Sequence, residues 1–476
     1  ALQLAAQRKW KIELADAHAA FLQGNHSETD RSIYCFAVPE LANALGVAHH
    51  RIVQVHKACY GLVNAPKEWW RSVTDRFQEA GLEALRTDQC VWIGKDGNGE
   101  TCAVICGHVD DFLIVGDAGS QFHNQYRKRV WDSFRWSPWK EKEFTMTGID
   151  VCQLADYSIV LSQNKYLDTV EEIRVGRDRP KDAKAHPGEV TALRAVTGAL
   201  QWKATQTGPQ LAATLSLLQS ETAEATVETL HKANKFLRLA KLQGHQGIRL
   251  HHFPGLKAED LIQAQWTDGA LGNRPKGGST GGYICGITTP DLEQGRTAPV
   301  SLIGWSSQKL DRVCRSSLAA EVQSCGNAED FLWFCRLSWS EMLGRPSNRA
   351  HYLDSLKQTK AMLIVDAKSM YDAMGNESSG VGMKEKRTGY EMQMIKESAK
   401  KSGLDVRWVK SDARLADALT KDGGKLQKFF AMGSAWRIAC DATMLSAKRR
   451  KALGIHDPLE NQDALNSSDD ASEPEK

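Results

Sequence analysis

Residues 102–117 read CAVICGHVDDFLIVGD. Two short runs rich in Val, Ile and Leu flank a pair of adjacent acids, Asp110 and Asp111. Apolar runs of this length and composition predict strands, and the polar pair between them predicts the tip of a hairpin. Two carboxylates side by side at a tight turn repel each other, so a compensating cation is expected there. Hard oxygen ligands suit Mg²⁺ or Mn²⁺. Turn chemistry alone also places Asp at hairpin tips, so the decision rests on the surrounding chain.

Upstream, residues 10–24 read WKIELADAHAAFLQG. A short strand over 11–14 leads to Asp16, which is either a third ligand for the same cation or an N-cap for a helical segment through Phe21. Residues 57–70, KACYGLVNAPKEWW, predict a turn followed by an amphipathic helix through Ala80, with Pro66 at an early helix position where its missing N–H is not needed.

The composition frames these pieces. At 476 residues the chain predicts two or three domains. Hydrophobic residues make up 42% and charged residues 25%, ordinary values for a globular protein. The net charge is +3, so affinity for nucleic acid has to come from local basic patches. The 14 Trp supply faces for stacking on bases or for filling large cores. The 11 Cys, odd in number and scattered, fit a reducing compartment better than a disulfide framework. No secretory signal and no bilayer-length apolar run is evident, so an intracellular location, in a cytoplasmic particle or the nucleus, is expected without membrane partners. The chain opens on Ala1, mid-pattern, and reads as part of a longer translated product.

In order, DAHAAFLQG, CYGLVNAPKEWW and HVDDFLIVGD resemble the reverse transcriptase of copia-type LTR retrotransposons. That family's pattern runs D-V-K-T-A-F-L-N-G, Y-G-L-K-Q-A-P-R-Q-W and Y-V-D-D. TMTGID (145–150), LSQNKYL (161–167) and LRAVTGALQWKATQTGPQL (193–211) continue the resemblance. It implies a right-hand polymerase palm in which Asp16 and Asp110 hold two metal ions with Asp111 beside them. Phe21 then matches the position whose ring lies under the incoming sugar, though it reads equally as a core aromatic. Asn64 and Lys67 fall where the family lines the nucleotide pocket and template. The departures are His108 in place of Tyr and a blander 17–19. The family's fingers strands belong upstream of Asp16, where little chain precedes it, so poor primer extension is expected.

Residues 126–142, YRKRVWDSFRWSPWKEK, fit either a backbone grip with stacking Trp or a solvated helix face with Trp turned inward. The stretch 174–188, rich in charge, Pro and Gly, predicts a loop or linker, and 222–242 predicts an amphipathic helix.

From 261 onward the pattern changes to strands and helices with acids at strand ends. Strands are expected to end at Asp268 and Asp366, a helix over 317–342 to carry Glu321 near its start, and a helical RLADALTK to carry Asp417. This β-β-β-α-β-α-β-α order matches the ribonuclease H fold. The copia-type stretches resemble S-D-A-D, S-T-A-E-A-E, a strand ending D-N-Q-S, and Q-L-A-D-I-F-T-K. Asp268, Glu321, Asp366 and Asp417 fall on the motif acids, with Ala319 replacing an earlier Glu. Each acid alone also fits a turn or helix-end role. Four in one basin imply cations.

The expected organisation is a multidomain α/β and α+β chain. A reverse-transcriptase palm over 1–125 is followed by thumb and connection over 126–255 and a ribonuclease H-like domain over 256–424. An extension over 425–476 is expected to be disordered from about 457, and a basic KRRK at 448–451 reads as a solvated helix end or a nucleic-acid contact. The implied function is an RNA-directed DNA polymerase with ribonuclease H, using two Mg²⁺ or Mn²⁺ ions per site. Its partners would be RNA or DNA template–primer, RNA–DNA hybrid, deoxynucleoside triphosphates and other Pol portions. The alternative is a non-catalytic nucleic-acid-binding remnant of a decayed element.

Overall fold

The computed structural model describes residues 1–24, 32–176, 178–243, 247–345, 352–375, 385–421 and 424–439. The KRRK stretch and the acidic tail lie outside the described residues. Two compact units form. The first gathers Ala1–Ser162, Arg249–Glu259 and Phe334–Gln358; the second gathers Gln163–Ile248, Asp260–Trp333 and the described chain from Thr359 on. The stretch 126–255, expected as one connecting domain, is therefore divided between them. The reason is long-range polar pairing that a contiguous reading misses. In the first unit Gln7 Nε2 donates to the carbonyls of Phe253 (3.0 Å) and Leu256 (2.6 Å). Glu341 accepts from the backbone N–H of Arg86 and Thr87 and from the Thr87 hydroxyl.

The first unit is built on a six-stranded antiparallel sheet. Its strands are β1 (Lys11–Asp16), β2 (Glu83–Ala84), β3 (Val91–Lys95), β4 (Thr101–His108), β5 (Asp111–Gly116) and β6 (Lys140–Glu141), in the order β2-β3-β4-β5-β1-β6. The predicted hairpin is β4–β5, and β1 extends two residues beyond the expected 11–14 to include Asp16 itself. Helices α1 (Ala65–Glu79) and α2 (Gln121–Ser133) accompany it, and Trp69, Val73 and Phe77 of α1 pack with Trp92, Ile105 and Phe112 of the sheet. Trp136 and Trp139 pack on this core, with Trp136 edge-on to Phe112 at 5.3 Å. The basic stretch thus turns two of its Trp inward, while Trp131 stays 46% exposed. Farther along, Ile149–Gln153 pairs with Glu143–Met146 and with Ile159–Ser162.

In the second unit helices α3 (Pro187–Gln206), α4 (Ala212–Ser220) and α5 (Val227–Leu242) bury Leu193, Leu200, Leu215, Leu230 and Leu237 in one cluster. The helix expected over 222–242 is two pieces: a 3₁₀ turn at Thr222–Glu224, then α5, opened by the Thr226 hydroxyl accepting from Thr229 N–H. The unit's sheet comprises β7 (Ile262–Ala270), β8 (Thr280–Thr288), β9 (Ala298–Lys309), β10 (Ala361–Val365), β11 (Asp405–Trp408) and β12 (Ala435–Trp436), ordered β11-β10-β7-β8-β9-β12. β7, β8 and β9 are antiparallel, whereas β10 joins β7 and β11 joins β10 in parallel. Three antiparallel strands followed by two parallel ones is the mixed sheet expected from the order of elements. Both parallel strands need a crossover, and helix α6 (Ser317–Met342) lies between β9 and β10. β10 is buried throughout, as its continuous apolar run requires. RLADALTK, expected as helical, is a 3₁₀ turn over Leu415–Leu419. Among the described residues no helix is long and apolar enough to cross a membrane.

Candidate active sites

In the first unit, register places the acids. Asp16 ends β1 directly opposite Asp111 at the start of β5, and Asp110 occupies the tip of the β4–β5 hairpin. The following helix, Ala20–Gln23, is flanked by Ala19, so Asp16 is not its N-cap. Ala17 N–H donates to the Asp110 carbonyl at 2.8 Å, tying the tip to β1. Ser137 fixes Asp16 twice, its hydroxyl on Oδ2 and its N–H on the carbonyl, both at 2.8 Å. Val109 at the tip has φ +57°, a left-handed conformation that a β-branched residue adopts only under constraint. The indole N–H of Trp69 on the Val109 carbonyl supplies part of that constraint. Burial pushes the Asp111 carboxyl above its ordinary range; the charges of Asp110 and Asp16 add to this, and the Thr147 N–H opposes it.

Phe21 is half-buried, its ring 4.7 Å from that of Tyr60. It lines a cavity of about 240 Å³ with Pro66, Trp69, Trp92, Val109 and Phe112 beside the acidic tip. Asn64 is the N-terminal flank of α1 without capping it through its side chain, and Lys67 is exposed on the first turn.

The second unit draws its acids together more closely. Oxygens of Asp268, Glu321 and Asp366 lie within 4.8 Å of one another, and among the described residues this is the group with that spacing. Asp16, Asp110 and Asp111 do not meet it. Asp268 lies within β7, which runs on to Ala270 rather than stopping at the acid. Asp366 follows β10, where Trp408 Nε1 donates to its carbonyl (2.9 Å) and the Ser411 hydroxyl to its carboxylate (3.1 Å). Glu321 sits in the first turns of α6, and Gly269 N–H donates to its Oε2 at 3.0 Å. That approach needs glycine: a Cβ on Gly269 would stand 2.5–2.6 Å from the backbone of Ala320 and Glu321. Gly282 plays the same part against the turn bearing Asp417, since a Cβ there would lie 2.7 Å from Leu419 Cβ.

Asp417 is outside the close trio and is tied to it by Arg414. Arg414 Nη1 lies 2.5 Å from Asp268 and 3.6 Å from Glu321 and also contacts Asp366; its Nη2 is 2.8 Å from Asp417. Lys421 (2.6 Å) and Lys425 (3.1 Å) complete the ring around Asp417. The Thr420 hydroxyl donates to Asp268.

Burial pushes the Asp268 carboxyl up against the pull of Arg414 and Thr420. Glu321 is pushed up to about 8, first by burial and then by the charges of Asp268 and Asp366. For Asp417, burial pushes upward but Lys421, Arg414 and Lys425 prevail and hold it at about 2. The basin as a whole carries more negative charge than its burial tolerates, and oxygen donors at this spacing suit a hard divalent ion.

Arg414, Thr420, Gly269 and Ser137 escaped the sequence reading. Gly269 alone carried a signal, a glycine directly after the strand acid.

Residues 1–177 match the family model described as reverse transcriptase (RNA-dependent DNA polymerase). The chain is 25% identical over 350 residues to the retrovirus-related Pol polyprotein from transposon RE1 of Arabidopsis thaliana, covering 71% of this chain and 22% of that protein. It is 30% identical over 115 residues to the Pol polyprotein from transposon TNT 1-94 of Nicotiana tabacum, covering 24% and 8%. A solved foamy viral protease–reverse transcriptase in complex with an RNA/DNA hybrid overlays with a TM-score of 0.29 at 9% identity, covering 89% of this chain and 68% of that one. The chain thus spans about a fifth of the length of the RE1 relative. By sequence the chain is similar to retrotransposon Pol polyproteins, and its first 177 residues match the reverse-transcriptase family model.

Proposed function

We propose that the chain carries two phosphoryl-transfer sites, an RNA-directed DNA polymerase site at Asp16, Asp110 and Asp111 and a ribonuclease H site at Asp268, Glu321, Asp366 and Asp417. The observation that carries this reading is the convergence of Asp268, Glu321 and Asp366 within 4.8 Å on a ribonuclease H-like sheet. The basin already attracts a cation, the guanidinium of Arg414, so its donor set fits Mg²⁺ or Mn²⁺. Divalent ions bound there would activate the attacking oxygen and stabilise the leaving one in an in-line displacement.

The chain's own residues aim and hold the carboxylates. Gly269 N–H orients Glu321, Thr420 and the sheet fix Asp268, and Ser411 sets the Asp366 rotamer. Hydrolysis of the RNA strand of a hybrid needs a backbone, water and ions, with recognition through helix shape and 2′-hydroxyls. In the first unit Ser137 pins Asp16 opposite Asp111, where a primer 3′-hydroxyl would be deprotonated. The ring of Phe21 would meet the sugar of a deoxynucleoside triphosphate, with Asn64 and Lys67 towards nucleotide and template.

Primer extension and hybrid cleavage assayed side by side test the reading. Asp110→Asn should remove the first activity alone and Asp366→Asn the second alone. A folded chain that binds hybrid and does neither would be a non-catalytic binder instead.

A further inference from the structure

Arg414 is the least expected group in the second site. It stands immediately before the 3₁₀ turn Leu415–Leu419, and its side chain is 5% exposed. One nitrogen, Nη1, reaches all three members of the close trio, while Nη2 reaches Asp417. Its Nε is buried and makes no hydrogen bond to the described residues, so the acids are what position the guanidinium. The stretch that RLADALTK resembles has Gln at this position, so Arg414 is a feature of this chain.

We propose that Arg414 is a built-in countercation that competes with divalent metal for the Asp268–Glu321–Asp366 basin. The inference rests on the metal-site reading given above. Nη1 lies at the point where the three carboxylates converge, which is the point an ion has to occupy. A guanidinium and a divalent ion cannot share it at contact distance, because two cations in a low-dielectric site repel strongly. Metal entry therefore requires the side chain to leave. The Nη2 contact to Asp417 gives it a place to be retained outside the trio. In the metal-free protein the same side chain offsets repulsion that would otherwise strain the sheet edge. The consequence is a basin that folds without metal, at the expense of metal affinity.

Isothermal titration of the full chain with Mg²⁺, and separately Mn²⁺, tests this on wild type, Arg414→Gln and Asp366→Asn, with melting in EDTA and in Mg²⁺ alongside. Arg414→Gln should bind the ions at least tenfold more tightly than wild type. It should melt below wild type in EDTA, and Mg²⁺ should close that gap. Equal or weaker binding by Arg414→Gln at the site that Asp366→Asn loses, with wild type binding there normally, overturns the competitor role and leaves the metal site standing. Absence of binding by folded wild type and folded Arg414→Gln alike overturns both. If Arg414→Gln does not fold, Arg414→Lys carries the test, because lysine keeps the charge but loses the fork spanning the trio and Asp417. Affinity above wild type then supports the proposal, and affinity at or below it overturns the proposal.

Discussion

Lys203 shows how a single residue in this chain sets a pH dependence. It is fully buried on α3, and its ammonium has no hydrogen-bond partner among the described residues. Burial alone lowers it from 10.5 to about 8. The folded state therefore binds fewer protons than the unfolded state between pH 8 and pH 10.5. The penalty is complete below about pH 8 and is relieved as pH rises towards 10.5. Lys203→Met should stabilise the protein at pH 7 by up to about 3 kcal/mol, with the gain shrinking by pH 10; denaturant titrations at the two pH values check it. A different balance holds Glu13, buried on β1 at 1% exposure, with the fork of Arg127 at 2.7 and 2.8 Å. Arg127→Ala leaves that carboxylate without its fork, with Lys11 at 3.6 Å, and should cost about 2 kcal/mol in the same measurement, less than for a fully buried pair because Arg127 is part-exposed. At this scale the sequence announces the acids through their neighbours in the chain. It does not announce their partners, since Arg414 and Asp268 are 146 positions apart and no local pattern joins them.

Among the elements, the β4–β5 hairpin and β10 are legible because they are apolar runs with acids at their ends, and α6 because Ser317–Met342 is a long stretch without proline. The helical stretch bearing Asp417 takes the 3₁₀ form: Leu415, Ala416, Ala418 and Leu419 are all buried, so its apolar residues wedge a short turn onto the sheet where an amphipathic α-helix would keep one face exposed. The Trp-rich basic stretch admits two readings in sequence. Packing settles Trp136 and Trp139, because Phe112, Phe134 and Val130 give them somewhere to go. Close approach of elements is where glycine enters. Gly269→Ala would press a methyl group into the start of α6 and move Glu321 away from Asp268. It should cost about 1–3 kcal/mol of stability and lower hybrid cleavage on the order of 100-fold, as expected for a misplacement near 1 Å. Melting and single-turnover cleavage of this variant separate the two effects, and unchanged cleavage would show that the spacing does not matter.

For the whole molecule, the interleaving of the two units is the part least visible in the sequence. Consecutive segments are what the sequence displays, whereas residues of 249–259 and 334–345 join the first unit through contacts that include Gln7 on the Phe253 carbonyl, the Arg8–Glu259 ion pair and Glu341 on the N–H groups of Arg86 and Thr87. The mixed sheet of the second unit, by contrast, is legible in the order of its strands and helices. Repulsion among acids implies linkage between metal and stability. Mg²⁺ raised to about 10 mM should lift the melting temperature by a few degrees through binding to the native state, and Asp366→Asn should abolish most of that rise. The most direct measurement is cleavage of an RNA–DNA hybrid in Mg²⁺ by the purified wild type and by Asp366→Asn, with product ends analysed. Wild type should release RNA fragments with 3′-hydroxyl and 5′-phosphate ends, and Asp366→Asn should do so at a rate at least 100-fold lower. Equal cleavage by the two proteins, or none from a folded wild type, would contradict the proposed ribonuclease H site.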